Sequence, residues 1–360
     1  MLKALCRSLC LSLPLATSVQ AASVVFLNPG YSNETFWVDY SRFMQAAASD
    51  LGMQLTVKYS ERRADLALSQ ARQVLTGTAR PDYLVLVNEQ YVAPEIIRLS
   101  RDSGVKLFLV NNGLTPGQAE LIESHPEKYP PVLGTLTSND EQAGYQMLKQ
   151  LISQLPVSAA VEPVEMLAFS GISTTPAARL REQGMRRALA EHPEVRLRQV
   201  VYGGWRRDRA HEQARQLLQR YPGIRLVWSA NDEMAFGAMQ AAVEAGYVPG
   251  KDILFSAINS SPEALQARID GRLSVLLGGH FSLGGWAMVL LHDDALKLPI
   301  TRDGRHAFQV PVLQVIDAAR AQRWLKLQGK VDYGLDFRHF SAQGQGTDYR
   351  YPFLRAPVDY

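Results

Sequence analysis

The stretch "RLVWSANDEMAFGAMQAA" occupies residues 225–242. An apolar, β-rich run ends at the polar pair Asn231-Asp232 and then gives way to a helical pattern. That unit, a buried strand closed by polar residues and followed by a helix, recurs along most of the chain. Upstream it is seen at "SVVFLN" (23–28), "MQLTVKY" (53–59), "YLVLVN" (83–88), "KLFLVNN" (106–112) and "VLGTL" (132–136). It restarts at "EMLAFSG" (165–171) and "RLRQVVY" (196–202), and after 225–232 continues at "DILFSAIN" (252–259) and "LSVLLGG" (273–279). Helical stripes separate the runs, such as Phe36, Tyr40, Phe43, Ala47 and Leu51. Continuous apolar strands alternating with helices predict parallel sheets covered on both faces. Two such sets predict two α/β lobes.

The strand ends repeatedly carry Asn or Ser: Asn28, Asn111, Ser170, Asn231 and Asn259. In open parallel sheets ligands bind at that edge, so two lobes facing each other there predict a cleft. At 360 residues, two packed units are the expectation. Lys3 and Arg7 precede the apolar run "LCLSLPLATSV", which leads to Val19-Gln20-Ala21, the pattern of a secretory signal peptide cut after Ala21. The run is shorter than a membrane span. Both cysteines, Cys6 and Cys10, lie inside this leader, so no disulfide framework is expected. Removing Lys3 and Arg7 from 38 basic residues leaves 36 against 35 acidic ones, a net charge near +1. A nucleic-acid partner is not indicated.

No GxGxxG follows a strand, and GxxxxGK[ST], HExxH and GxSxG are all missing. The seven histidines, at 125, 192, 211, 280, 292, 306 and 339, lack metal-ligand spacing. No cofactor, metal or catalytic residue is expected, and an enzyme is disfavoured. The segment 114–131 reads as a loop with at most a short helix. The stretch 332–360 has no period but carries seven aromatics, too many for a plain flexible linker.

Three pieces carry a resemblance: "PGYSNETFWVDY" (29–40), "TTPAARLREQGM" (174–185) and "WSANDEMAFGAMQAA" (228–242). Over residues 23–330 the chain resembles the type I periplasmic sugar-binding proteins of the ribose- and galactose-binding kind, and is similar in layout to LuxP-type receptors. The resemblance implies two Rossmann-like lobes with parallel sheets, joined by a three-crossover hinge that closes on ligand. It divides the chain into a signal peptide (1–21), an N-terminal lobe (22–137 with 281–313), a C-terminal lobe (138–280 with 314–331) and an aromatic-rich tail (332–360).

The resemblance also implies site residues. Phe36 and Trp37 match aromatics that stack on a sugar ring: Phe36 starts the apolar stripe and can be claimed by the core, Trp37 lies about 100° around the helix and is free to face the cleft, and burial of both in the core is the alternative. Asn111 and Asn112 fall where relatives carry an aspartate and an arginine. Arg181 matches an arginine that reaches the ligand from the second lobe, and Trp205 a stacking aromatic there. Asn231 matches a binding asparagine. Asp232 beside it is either a ligand contact or a helix cap. Asn259 stands where sugar binders usually have aspartate. His280, next to Gly279 where ribose binders have glutamine, is a substitute contact or a structural histidine. The implied ligand is a sugar, polyol or furanose-like signal in the periplasm. The implied partner is a membrane permease of an ABC-type importer, or a membrane sensor protein if the chain is a LuxP-like signalling subunit.

Overall fold

All ten apolar runs form strands in the computed structural model, which describes residues 21–155, 163–300, 306–330, 332–346 and 348–358. The leader, residues 1–21, lies outside the described residues apart from Ala21. In the first lobe β1 (Ser23–Asn28), β2 (Gln54–Tyr59), β3 (Tyr83–Leu86), β4 (Lys106–Asn111) and β5 (Gly134–Ser138) alternate with α1 (Thr35–Asp50), α2 (Ala64–Thr76), α3 (Ala93–Leu99) and α4 (Pro116–Glu123). In the second, α5 (Asp140–Ile152), β6 (Val164–Ser170), α6 (Pro176–Ala190), β7 (Val195–Tyr202), α7 (Arg207–Arg220) and β8 (Ile224–Ser229) lead on to α8 (Asp232–Glu244), β9 (Leu254–Ile258), α9 (Pro262–Ile269) and β10 (Val275–Gly278).

The chain then returns through α10 (Leu283–Ala295) and β11 (Ala307–Val310) to the first lobe, and through β12 (Gln314–Val315) and α11 (Ala318–Leu327) to the second. The first sheet has order β11-β5-β4-β3-β1-β2 and is parallel throughout. The second has order β12-β10-β9-β8-β6-β7, with β12 the antiparallel edge. Sequence periodicity does not reveal β11 and β12. One is a half-exposed edge strand and the other only two residues long, so neither has a continuous apolar run.

The central strands β3 and β10 are buried along their whole length because helices cover both faces. Switching sheets after β5, β10 and β11 makes three crossings between the lobes. Every strand before a crossing points its C-terminal end at the other lobe, which places the loops there in one cleft. The aromatic C-terminal segment is core material. Phe337 and Phe353 are fully buried against the first lobe, Phe353 stacking on Trp286 of α10 at 4.8 Å. Among the described residues no helix is long and apolar enough to cross a membrane.

Candidate functional site

The wall from the first lobe is built on close backbone approach. Gly30 follows β1, and a Cβ there would lie 2.1 Å from the Trp37 ring. Only glycine lets the chain close over that indole. Asn28 fixes the same place: its Nδ2 donates to the Trp37 carbonyl (3.0 Å) and Ser41 Oγ (2.9 Å), while its Oδ1 accepts from Gly30 N. Trp37 is consequently 2% exposed and packs on Tyr40, whereas Phe36 is half-buried. The stripe expected to start at Phe36 is therefore shifted by one residue at its N-terminal end, yet both rings border the cleft. Phe36 stacks on His280, ring centres 4.4 Å apart and planes 24° apart.

The cleft is lined from the first lobe by Glu34, Phe36, Trp37, Arg62, Glu89, Asn111 and Asn112. Thr175, Ala177, Arg181, Trp205, Asn231 and Asn259 face them from the second, and His280 sits at the second crossing. Four lining residues other than glycine hold a left-handed backbone: Arg62 (φ 58°), Asn111 (64°), Trp205 (67°) and Asn259 (125°). Such conformations cost free energy and concentrate at functional sites. Asparagine tolerates them better than most residues, which suits positions 111 and 259.

Arg181, 3% exposed, is held at every donor-bearing nitrogen. Its Nε donates to Asp140 Oδ1 (2.6 Å), one terminal nitrogen to the Ala230 carbonyl (2.7 Å), and the other meets His280 Nε2 at 3.3 Å. Ser138 Oγ donates to the second Asp140 oxygen at 2.6 Å. Burial, and then the Arg181 cation, hold the His280 imidazole well below its ordinary pKa, so it is neutral.

A second charged group, unforeseen in the sequence, spans the opposite wall. Arg62 donates from Nε to Glu34 (3.0 Å), from a terminal nitrogen to Glu89 (3.2 Å), and again to Glu34. Its guanidinium carbon lies 6.0 Å from the ring centres of both Trp37 and Trp205. Burial raises the Glu89 carboxyl pKa against the opposing pull of Arg62 and Thr175. These residues follow the ends of β1, β2 and β3. Applying the strand-end rule to "SERRADL" and "VNEQY" locates Arg62 and Glu89 as well as the asparagines. Glu34 and Glu89 also bring back two carboxylates where Asn111 and Asn259 lack them.

The two lobes touch directly. Thr175 Oγ1 donates to Glu89 Oε1 (2.7 Å), Ala177 N to Asn112 Oδ1 (3.0 Å), and Arg179 to the Tyr91 hydroxyl (3.0 Å). Thr175 stands at the N-cap position of α6 but makes no side-chain cap. Asn112 instead satisfies a free N–H of that helix from across the cleft.

The expected site residues thus divide by their partners. Asn112 serves closure. Asn231 caps α8 through Met234 N and holds the Trp205 carbonyl through Nδ2. Asn259 donates to Asp232 Oδ1 at 2.7 Å. Asp232 is not among the lining residues. Its carboxylate lies behind the lining, accepting from Asn259, Ser261 Oγ and Glu233 N, while burial and then Glu233 push its pKa up to about 6. Four buried polar atoms of the lining have no partner: Trp37 Nε1, Trp205 Nε1, His280 Nδ1 and Asn111 Oδ1. Buried polar groups are nearly always paired, so these four are open to hydrogen bonds with whatever occupies the cleft. Because each guanidinium faces carboxylates of the protein, no cation of the lining is left for an anionic ligand.

The cavity between the shut lobes is small, about 40 Å³. A larger guest enters only if the lobes part and reclose. Among the described residues no cluster of His, Cys, Asp or Glu could hold a metal ion.

Comparison with known proteins places this architecture. A periplasmic binding protein domain model matches residues 24–297. The chain is 22% identical to the ribose import binding protein of Escherichia coli over 278 residues, covering 77% of this chain and 86% of that one. It is 23% identical to the D-allose-binding periplasmic protein of the same organism, covering 78% and 87%. The crystal structure of a periplasmic sugar-binding protein from Pseudomonas fluorescens superposes with TM-score 0.86 at 57% identity, over 92% of this chain and 98% of that one. A galactofuranose-binding protein superposes with TM-score 0.72 at 19% identity, over 87% and 100%. The chain belongs to the periplasmic binding protein family and has its type I fold, two α/β lobes joined by three crossings.

Proposed function

We propose that the protein captures an uncharged sugar or sugar-like solute in the periplasm by hinge closure and delivers it to the permease of an ABC-type importer. The observation that carries this reading is the set of unpartnered atoms at Trp37, Trp205, His280 and Asn111, enclosed by aromatic faces in an interlobe cleft. Apolar ring faces suit the C–H faces of a sugar, and fixed polar atoms suit its hydroxyls. The internal pairing of Arg62 and Arg181 favours an uncharged guest over a sugar acid or phosphate. The Pseudomonas fluorescens relative, described as sugar-binding, and the ribose import protein support the same class.

Binding rather than catalysis fits the site. The His280 Nε2 that a general base would need is engaged by Arg181. A sensor that docks a partner through the aromatic C-terminal segment is not favoured, because its rings at Phe337, Tyr351 and Phe353 are buried. Isothermal titration of the mature protein with D-ribose, D-allose, L-arabinose, galactofuranosides and polyols tests the reading. Saturable binding of at least one is expected, and absence of heat for all of them rejects it.

A further inference from the structure

We propose that Arg181 locks His280 as its Nδ1–H tautomer, so that position 280 presents the ligand with a donor and the site selects cyclic sugars over open-chain alditols. The inference deepens the sugar-binding reading and rests on it for the ligand.

A guanidinium carries donors only. The 3.3 Å contact from Arg181 to His280 Nε2 is a hydrogen bond only if Nε2 keeps its lone pair. The proton of the neutral ring is then on Nδ1. The ring cannot flip away from this arrangement. Phe36 stacks on one face at 4.4 Å. Gly279 before it has φ 116°, and a Cβ there would lie 2.3 Å from the Val312 carbonyl, which fixes the backbone at this crossing. Arg181 is itself fixed by Asp140 and the Ala230 carbonyl. Nδ1–H is thus a buried donor on the cavity wall without a protein acceptor.

The indole N–H groups of Trp37 and Trp205 are two more donors that can never accept. Against these three stands one fully buried side-chain acceptor of the lining without a partner, Asn111 Oδ1, while the Glu34 and Glu89 carboxylates are engaged by Arg62, Thr175 and Asn112. A ligand fits best when it offers more acceptors than donors. An ether oxygen, as in a furanose or pyranose ring or a glycoside, accepts without bringing a hydrogen of its own. An alditol has one more hydroxyl in place of that ether, and its hydrogen needs an acceptor that the buried lining does not leave free.

The tautomer is read without any sugar, by long-range ¹H–¹⁵N correlation spectra of the ¹⁵N-labelled mature protein at pH 7. The His280 signal is identified by its loss in His280→Asn. Protonated Nδ1 with bare Nε2 is expected; protonated Nε2 or an imidazolium overturns the lock. For selectivity, whichever of D-ribose, D-allose and L-arabinose binds most tightly is titrated beside its own alditol. The sugar is expected to bind at least tenfold more tightly. His280→Asn, whose amide can donate from a similar place, is expected to stay within about threefold of wild type, while His280→Leu loses tenfold or more. Alditol binding equal to the sugar's, or equal losses in both variants, overturns the donor role. Failure of every sugar to bind is a different result, which rejects the transport reading and leaves the spectrum to decide the tautomer.

Discussion

Arg181 combines two duties that mutation separates from those of Trp205. Its guanidinium borders the cleft, and it also neutralises the buried Asp140 carboxylate. Arg181→Ala strands that charge, and a loss of about 3–5 kcal/mol in folding stability is expected by urea denaturation. Trp205 lines the cleft half-buried, with an unpartnered indole N–H. Trp205→Ala is expected to weaken sugar binding by about 2 kcal/mol or more. It should shift the urea midpoint far less than Arg181→Ala; comparable shifts in both would remove Trp205 from the binding set. His280 adds a pH signature. It faces the Arg181 cation of α6, with Asp140 of α5 behind that cation and uncharged Phe36 of α1 on its ring. With the folded pKa depressed, its contribution to stability is full above the unfolded value near 6.5 and is lost as pH falls below it. Relative to His280→Asn, wild type is expected to lose up to about 1.4 kcal/mol per pH unit between 6.5 and 5. A constant difference across that range would show that the buried ring is not neutral.

Helices α5 and α6 meet through glycine, and that contact carries Arg181. A Cβ on Gly144 would lie 2.0 Å from the Arg181 carbonyl oxygen, and one on Gly184 would lie 1.8 Å from that of Glu141. Both obstacles are backbone, so the helices must separate to admit a methyl. Asp140 opens α5 directly after the first crossing, so the helix pair ties the cleft-lining Arg181 to the hinge. Gly184→Ala is expected to destabilise the second lobe by about 1–3 kcal/mol, with weakened sugar binding as Arg181 leaves Asp140. Unchanged urea midpoint and affinity would show that the pair tolerates wider spacing.

Across the whole molecule, one set of contacts holds the lobes shut and another holds the C-terminal segment down. The Thr175–Glu89 bond joins the lobes without using any of the unpartnered lining atoms. Thr175→Val is expected to lower sugar affinity about tenfold, because a bond to a charged acceptor is lost from the closed form alone. Unfolding stability should hardly change, since the bond is absent once the lobes open; unaltered affinity would show that closure does not depend on it. The C-terminal segment is anchored by Asp293, which accepts from Ser341 Oγ (2.5 Å), Ala342 N (2.6 Å) and the Tyr351 hydroxyl (2.8 Å). Phe353 seals it against Trp286. Phe353→Ala is expected to cost about 3–5 kcal/mol by calorimetry or denaturant, as for any large core truncation, with affinity retained in the folded fraction. A loss near zero would make the segment an appendage.

The amino-acid sequence by itself determined the alternation of strands and helices, the two sets of strands and the polar strand ends, because each is a short-range pattern of apolar periodicity and breaks. Asn231 illustrates this: it closes an apolar run and caps the next helix three residues on. Position 37 shows where such reasoning stops. Which of two adjacent aromatics turned inward was decided by Gly30 and Asn28 closing over the helix start, not by the helical period. Only the tertiary structure decided which polar atoms remain free. Arg181 reaches His280 across 99 positions and Asn112 caps Ala177 across 65, and no local pattern encodes such pairings. They arise when separately patterned segments are brought together, where burial removes water and each donor must find whatever acceptor a distant part of the chain supplies.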